Sequence, residues 1–286
     1  AQMWSDITQR GTWSGEIWNR RKNGESYPKW LTINAVQSHD GTVAHFVGIF
    51  TDISHMKATE ERLEQLAFFD PLTALTNRML FRDRLLHEFE AAKRFNTLVA
   101  VFFIDLDRFK HVNDTLGHAA GDLLLVEVAH RITQCVRASD TVARLGGDEF
   151  TVILAGLKSS QEAEPIARNI IIALMEPVTL QEHKAHIGAS VGISIYPTDS
   201  DNFDAITKYA DVAMYHAKES GRGNFKFFEE RMNAHSIKRA AMEHNLRQGL
   251  EADEFILHYQ PKLSIATRKI VGMESLVRWR RGDGTV

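Results

Sequence analysis

Thr141-Val-Ala-Arg-Leu-Gly-Gly-Asp-Glu-Phe-Thr-Val-Ile-Leu154 is two short apolar runs hinged on a glycine pair. Residues 141–145 and 150–154 have the length and β-branched content of strands. Gly146-Gly147 supplies the backbone freedom that a tight connection needs. The stretch therefore predicts a hairpin with two acids, Asp148 and Glu149, beside its tip. Upstream, Leu98-Val-Ala-Val-Phe-Phe-Ile104 is unbroken apolar sequence, the pattern of a central strand buried on both faces. Asp105 closes that run and Asp107 follows two positions on. If the run neighbours the hairpin in one sheet, Asp105 and Asp148 converge.

Working outward, amphipathic helices are predicted over 80–94, 120–136, 165–175 and 203–220, and a further strand over 192–196. The order strand, helix, hairpin, helix, strand describes an α+β domain, a βαββαβ arrangement around a mainly antiparallel sheet flanked by helices. It occupies residues 70–228. Asp70-Pro71 marks a loop entering its first helix, with proline pre-setting φ.

Converging carboxylates at a strand end suit phosphoryl chemistry. Mg²⁺ takes oxygen ligands and keeps several waters. Two metals about 3.5–4 Å apart can activate an attacking oxygen and neutralise a leaving group. Glycines at the tip let a nucleotide approach the backbone. An ordinary surface hairpin with nearby acids accounts for the same spacing, so the residues alone leave both readings open.

The flanks differ in character. Residues 1–52 read as three strands, with turns at Asn23-Gly24, a type I′ signal, and at Asp40-Gly41. Residues 53–69 form a connecting helix. Ile53, Met56, Leu63 and Ala67 share a stripe with Glu60, which suits a short coiled coil or a helix packed on its own domain. Residues 229–286 contain a helix over 240–250 and strands over 255–261 and 270–279, too little to bury a core.

The bulk composition excludes some classes. A net charge of −3 argues against a nucleic-acid polymer as partner, so any phosphate site must be built locally. The single cysteine, Cys135, rules out an intrachain disulfide and suits a reducing, cytoplasmic compartment. The apolar runs at 98–104 and 170–175 are too short to span a bilayer. No signal peptide is visible at the N-terminus, and a membrane anchor outside this chain is compatible with the reading.

Four segments in order carry a family resemblance. Arg144-Leu-Gly-Gly-Asp-Glu-Phe150 resembles the signature of GGDEF diguanylate cyclases. Asp70-Pro-Leu-Thr-Ala-Leu-Thr-Asn-Arg78 resembles the motif that opens that domain, with Ala74 and Thr76 in place of the usual glycine and proline. Phe103-Ile-Asp-Leu-Asp-Arg-Phe-Lys-His-Val-Asn-Asp-Thr-Leu-Gly-His-Ala-Ala-Gly-Asp122 resembles its metal and guanine segment, and 210–222 its closing motif. The family's fold is palm-like, compatible with the element order above.

The resemblance implies condensation of two GTP into cyclic di-GMP and two pyrophosphates across a homodimer of facing domains. It implies two Mg²⁺ (or Mn²⁺) per site on Asp105, the Leu106 carbonyl and Asp148. Glu149 is either a further ligand or the group that helps deprotonate the ribose 3′-hydroxyl. Gly146 and Gly147 line the catalytic hairpin. Phe109 and Lys110 present backbone amides to the phosphates, from a loop that also holds Arg108. Lys218 and Arg222, one helical turn apart, bind phosphate. Asn113 and Asp122 read guanine, whose donor-rich edge a carboxylate and an amide match. Arg137 and Asp140 match the family's RxxD product-inhibition site, with Arg168 as a further contributor.

Residues 11–57 resemble the C-terminal half of a PAS domain, on Gly15 to Gly24, the three-strand pattern and Thr51-Asp52-Ile53. No PAS ligand is assignable. Residues 241–286 resemble the start of an EAL phosphodiesterase domain, on Tyr259-Gln-Pro-Lys262 and Glu274-Ser-Leu-Val-Arg-Trp279. The expectation is a piece of a longer PAS–GGDEF–EAL protein, without phosphodiesterase activity of its own. The competing reading is a regulatory GTP- or cyclic di-GMP-binding module that controls a phosphodiesterase.

Overall fold

The computed structural model describes residues 2–39, 42–180 and 183–280. The chain divides into two compact units, parted between Leu80 and Phe81. The turn expected at Asp40-Gly41 lies outside the described residues.

In the first unit, helix α1 (Gln2–Arg10) precedes strands β1 (Thr12–Arg20), β2 (Ser26–Gln37) and β3 (Val43–Asp52). The strands form an antiparallel sheet in sequence order. Helix α1 was not legible in the sequence; it buries Ile7. The β1–β2 turn is a correction. In a type I′ turn both central residues sit at positive φ, but here only Gly24 does, at +90°. The Arg21 amide donates to the Glu25 carbonyl and the Gly24 amide to the Arg21 carbonyl. That is a three-residue loop whose glycine absorbs the left-handed step. Helix α2 (Ser54–Phe68) follows β3 almost at once. Asp52 holds the corner: one carboxylate oxygen accepts from the Ser54 hydroxyl and amide, and the other from Arg21. Those bonds lower the Asp52 pKa to about 2, the Ser54 hydroxyl having the largest effect. Met56, Leu63 and Leu66 of α2 are exposed.

Helix α3 (Arg78–Phe95) leads into the second unit, with Asn77 as its N-cap. The remaining elements are β4 (Leu98–Asp107), α4 (Phe109–Leu116), α5 (His118–Gln134), β5 (Thr141–Gly146), β6 (Glu149–Leu157), α6 (Ala163–Met175), β7 (Val178–Leu180), β8 (His183–Ala185), β9 (Gly188–Tyr196), α7 (Phe203–Glu219), β10 (Phe225–Phe227), α8 (Glu230–Glu251), β11 (Phe255–Leu263) and β12 (Ile270–Trp279). The main sheet has the order β10-β9-β4-β6-β5. Only the β10–β9 pair is parallel. The α+β class and the βαββαβ order are as expected, with the small β7–β8 hairpin, β10 and helix α4 added.

Strand β4 is central, which explains its unbroken apolar run. Val99, Val101 and Phe103 face a core built with Phe81, Leu85 and Phe89 of α3 and Ile206, Ala210 and Met214 of α7. The alternate residues Ala100, Phe102, Ile104 and Leu106 are buried as well, on the opposite face of the pleat. Each buried Val, Leu, Ile or Phe side chain among them contributes roughly 1.5–3 kcal/mol of burial energy. Gly192 of β9 sets the seat of α7: a Cβ there would lie 1.9 Å from the Ala210 carbonyl oxygen. The strand does not stop at Asp105 but runs to Asp107, so both acids belong to the sheet.

Candidate active site

Strand register brings the expected acids together. Asp105 lies opposite Glu149 of β6 on one side and Ser190 of β9 on the other. The Leu106 amide donates to the Asp148 carbonyl at 3.4 Å. At the hairpin tip Gly146 and Gly147 have φ of +142° and +54°, values that exclude most side chains. Arg144 fixes this tip, donating from Nε (3.0 Å) and Nη2 (2.8 Å) to the Gly147 carbonyl. Arg144 opens the signature stretch in the sequence, but nothing there marks it as the residue that holds the tip.

The Asp105 side chain is only 13% exposed, and Lys218 Nζ of α7 stands 2.7 Å from its Oδ1. Burial pushes the Asp105 pKa up; Lys218 opposes this, while the charges on Asp148 and Asp107 add to it. A hard cation would relieve that repulsion, and oxygen donors are what Mg²⁺ prefers. The residues therefore fit the metal that the motif implies. Among the described residues, no three His, Cys, Asp or Glu side chains are grouped to hold a metal ion, so the ligands here would be two carboxylates with a main-chain carbonyl and water.

Two expectations about local structure are corrected. Phe109 and Lys110 do not sit in a loop; they begin helix α4, and Arg108 precedes them at φ +63°. Their amides are still available in kind, because first-turn N–H groups have no acceptor within the helix. Arg222 is not one helical turn beyond Lys218. Helix α7 ends at Glu219, and Gly221, Arg222 and Gly223 all take positive φ. This turn nonetheless brings Arg222 Nε to 3.9 Å from Asp107 Oδ1, near the same strand end.

Asn113 of α4 packs against α5 at Gly121, where a Cβ would stand 1.9 Å from Asn113 Oδ1. That oxygen is buried without a hydrogen-bond partner. An unmet buried acceptor is costly and calls for a ligand donor or water. Asp122, the next residue on α5, is exposed.

Arg137 and Asp140 form a tight turn before β5. The Asp140 amide donates to the Arg137 carbonyl, and the Arg137 amide to Asp140 Oδ2, both at 2.9 Å. The Arg137 side chain is left at the surface. Arg168 is not brought to them. It pairs with Glu164 at 2.7 Å and lies 5.9 Å from the Phe225 ring, on β10, the edge strand opposite β5.

The fold and site together define a palm-like α+β domain with an acidic hairpin site at the end of its sheet. The family profile described as "Diguanylate cyclase, GGDEF domain" matches residues 67–224, and the chain belongs to that family. It is 46% identical over 217 residues to the bifunctional diguanylate cyclase/cyclic di-GMP phosphodiesterase MucR of Pseudomonas aeruginosa, covering 76% of this chain and 32% of MucR. Against the cyclic di-GMP phosphodiesterase PdeR of Escherichia coli the identity is 39%, covering 80% of this chain and 34% of PdeR. The solved GGDEF domain of TpbB from P. aeruginosa superposes with a TM-score of 0.57 at 44% identity, covering 58% of this chain and 97% of that one. The chain spans about a third of the length of these curated relatives. No helix among the described residues is long and apolar enough to cross a membrane.

Proposed function

We propose that this chain is a diguanylate cyclase, active when two copies face each other. The observation that carries the reading is the convergence, at one sheet end, of Asp105, the 146–149 hairpin and the Lys218 ammonium. Cations and carboxylates gathered at one point match a triphosphate and the metal it travels with.

In this reading Asn113 and Asp122 bind guanine, and the unmet Asn113 acceptor is filled by a guanine N–H. The amides of Phe109 and Lys110, with Lys218 and Arg222, hold the β- and γ-phosphates. Asp105, the Leu106 carbonyl and Asp148 would hold Mg²⁺ or Mn²⁺, which would supply charge neutralisation at the triphosphate and at departing pyrophosphate. The 3′-oxygen of each GTP bonds to the α-phosphorus of the other, and the bond from that phosphorus to the pyrophosphate oxygen breaks. Each 3′-hydroxyl proton leaves through Glu149 to water. Two such steps give cyclic di-GMP and two pyrophosphates.

The domain layout proposed is a PAS-like part at 1–52, a connecting helix at 53–69, the cyclase at 70–228 and the start of an EAL domain at 229–286. The three-stranded sheet supports the first assignment and the β11–β12 hairpin is compatible with the last. The exposed apolar stripe of α2 suits pairing with a second copy. Arg137 and Asp140 are proposed as the product-inhibition site; Arg168 is left out of that set on its position.

Incubation with GTP and Mg²⁺, with products separated by chromatography, tests the proposal. Cyclic di-GMP and pyrophosphate in a 1:2 ratio are expected. GTP binding without product, even from a chain fused to a dimerising partner, would favour the regulatory reading instead.

A further inference from the structure

Asp107 has no part in the chemistry just described, yet it is more deeply buried than Asp105, at 7% side-chain exposure. Its two oxygens are used differently. Oδ1 accepts from the Ser190 hydroxyl at 2.8 Å, and Oδ2 accepts from the Gly223 amide at 3.0 Å. Ser190 is itself fully buried. Gly188, opposite Asp107 in the β4–β9 register, leaves the room: a Cβ there would stand 2.9 Å from Oδ2. The Gly223 bond ties the sheet to the 221–223 turn, whose middle residue is Arg222.

On its own side the turn has three further bonds, and the Val191 amide of β9 reaches the Asn224 carbonyl just beyond it. The Arg222 amide donates to the Ala217 carbonyl, and the Asn224 side-chain amide donates to the carbonyls of Ala217 and Arg222. A non-glycine residue at φ +62° is strained and persists where its surroundings hold it. Asp107 supplies a side-chain anchor at Gly223, beside the main-chain bond from Val191, and, at 3.9 Å from Arg222 Nε, a counter-charge.

We propose that Asp107 is a positioning residue for phosphate binding: through Gly223 and Arg222 it sets the cation that meets the triphosphate, while leaving guanine recognition alone. The inference rests on the GTP reading above. Strand β4 would thus carry one acid for the metal and, two residues on, one that places the Arg222 turn.

The test compares affinities for GTP and GMP by calorimetry in Mg²⁺, for the full chain and for Asp107→Asn, Ser190→Ala, Arg222→Ala and the Asp107→Asn/Arg222→Ala double variant. Asp107→Asn is expected to weaken GTP binding about tenfold with GMP binding unchanged. Ser190→Ala should show a smaller loss of the same kind and serves where Asp107→Asn does not fold. In the Arg222→Ala background Asp107→Asn should add nothing, because both act on one contact. In turnover, KM should rise more than kcat falls. Equal losses for GTP and GMP, or full additivity with Arg222→Ala, would overturn the inference alone. A wild-type chain that binds GTP no better than GMP would overturn the GTP reading with it.

Discussion

The Lys218 ammonium stands 2.7 Å from an Asp105 carboxylate oxygen, and it favours the charged form of that acid. Burial comes first among the opposing effects, followed by the charges of Asp148 and Asp107. The carboxylate is thus placed for function at some cost to stability. Asp105→Asn keeps an acceptor for Lys218 and removes the repulsion. The nucleotide-free variant should melt at the same temperature as the wild type or above it. Turnover should fall by about 10²-fold or more, the scale for losing a preorganised electrostatic group. Retained turnover, or a clearly lower melting temperature, would contradict this account.

How much of this site could be read from residues alone depends on whether a partner is local or distant. The hairpin was legible because Gly146-Gly147 and its flanking β-branched runs are neighbours in sequence. The centrality of β4 was legible because burial on both faces leaves no polar alternation. The convergence of Asp105 and Asp148 needed only the assumption that those strands pair, and they do. Asp107 was passed over because its partners, Ser190 and Gly223, lie 83 and 116 residues away. Helix α4 was missed because its 8 residues, Phe109–Leu116, are too few for an apolar period to show. The Arg222 turn was misread as helix because i and i+4 spacing fits either until the glycines on both sides are weighed. Arg168 joined the inhibitory set as a contributor from the following helix, and it lies beside Phe225 on β10, the sheet edge opposite β5.

Ala74 replaces the glycine usual at its position in the family motif and sits at φ +57°. A left-handed conformation costs an L-residue about 1–2 kcal/mol, which glycine does not incur. Glycine loses part of that advantage through a more flexible unfolded chain. The Ala74 side chain is exposed, so no packing is lost. Ala74→Gly is expected to stabilise the chain by about 0.5–1 kcal/mol net. Denaturant unfolding would check this, and a lower midpoint would show that the turn is not strained.

Asp199 offers a pH-dependent test away from the acidic site. Burial raises its pKa above the ordinary 3.8; the Ile195 amide, donating to Oδ2 at 2.7 Å, offsets this in part. Below pH 3.8 the acid is protonated in both folded and unfolded chains and carries no penalty. As pH rises past that value the unfolded chain releases its proton first, and stability is lost until the folded pKa is passed. Asp199→Asn keeps the acceptor without the charge. Its melting temperature should match the wild type near pH 3 and exceed it at pH 7. A difference that does not change with pH would assign the effect to packing.

Arg131 buttresses the layer that carries the proposed inhibitory turn. From α5 it donates to the Ala173 carbonyl at 2.9 Å, to the Glu176 carbonyl, and to the Pro177 carbonyl at 3.2 Å, while pairing with Glu127. It therefore satisfies carbonyls at the C-terminal end of α6 that no helical amide can reach. Its side chain is only 16% exposed, so water cannot readily replace it. Lysine cannot reproduce a planar fork with several donors. Arg131→Ala should cost about 2–3 kcal/mol and Arg131→Lys nearly as much. Equal stability of the lysine variant and the wild type would show that charge alone suffices there.

Arg137 is exposed while the turn that carries it is closed by main-chain and Asp140 bonds. The turn therefore keeps its shape without the guanidinium. Arg137→Ala should leave the unfolding free energy within about 0.5 kcal/mol of the wild type, as for surface changes generally. In the proposed reading the freed guanidinium stacks on a guanine or binds a phosphate of cyclic di-GMP. The variant should then bind cyclic di-GMP at least about tenfold more weakly, the scale for one charged hydrogen-bonding group. Progress curves should change accordingly: the wild type slows as product accumulates, and the variant runs on. Asp140→Ala is the less clean comparison, because its carboxylate also closes the turn. Unchanged product affinity in Arg137→Ala would remove the inhibitory assignment and leave the cyclase reading untouched, because Arg137 precedes the edge strand β5 whereas Asp105 lies on the central strand β4.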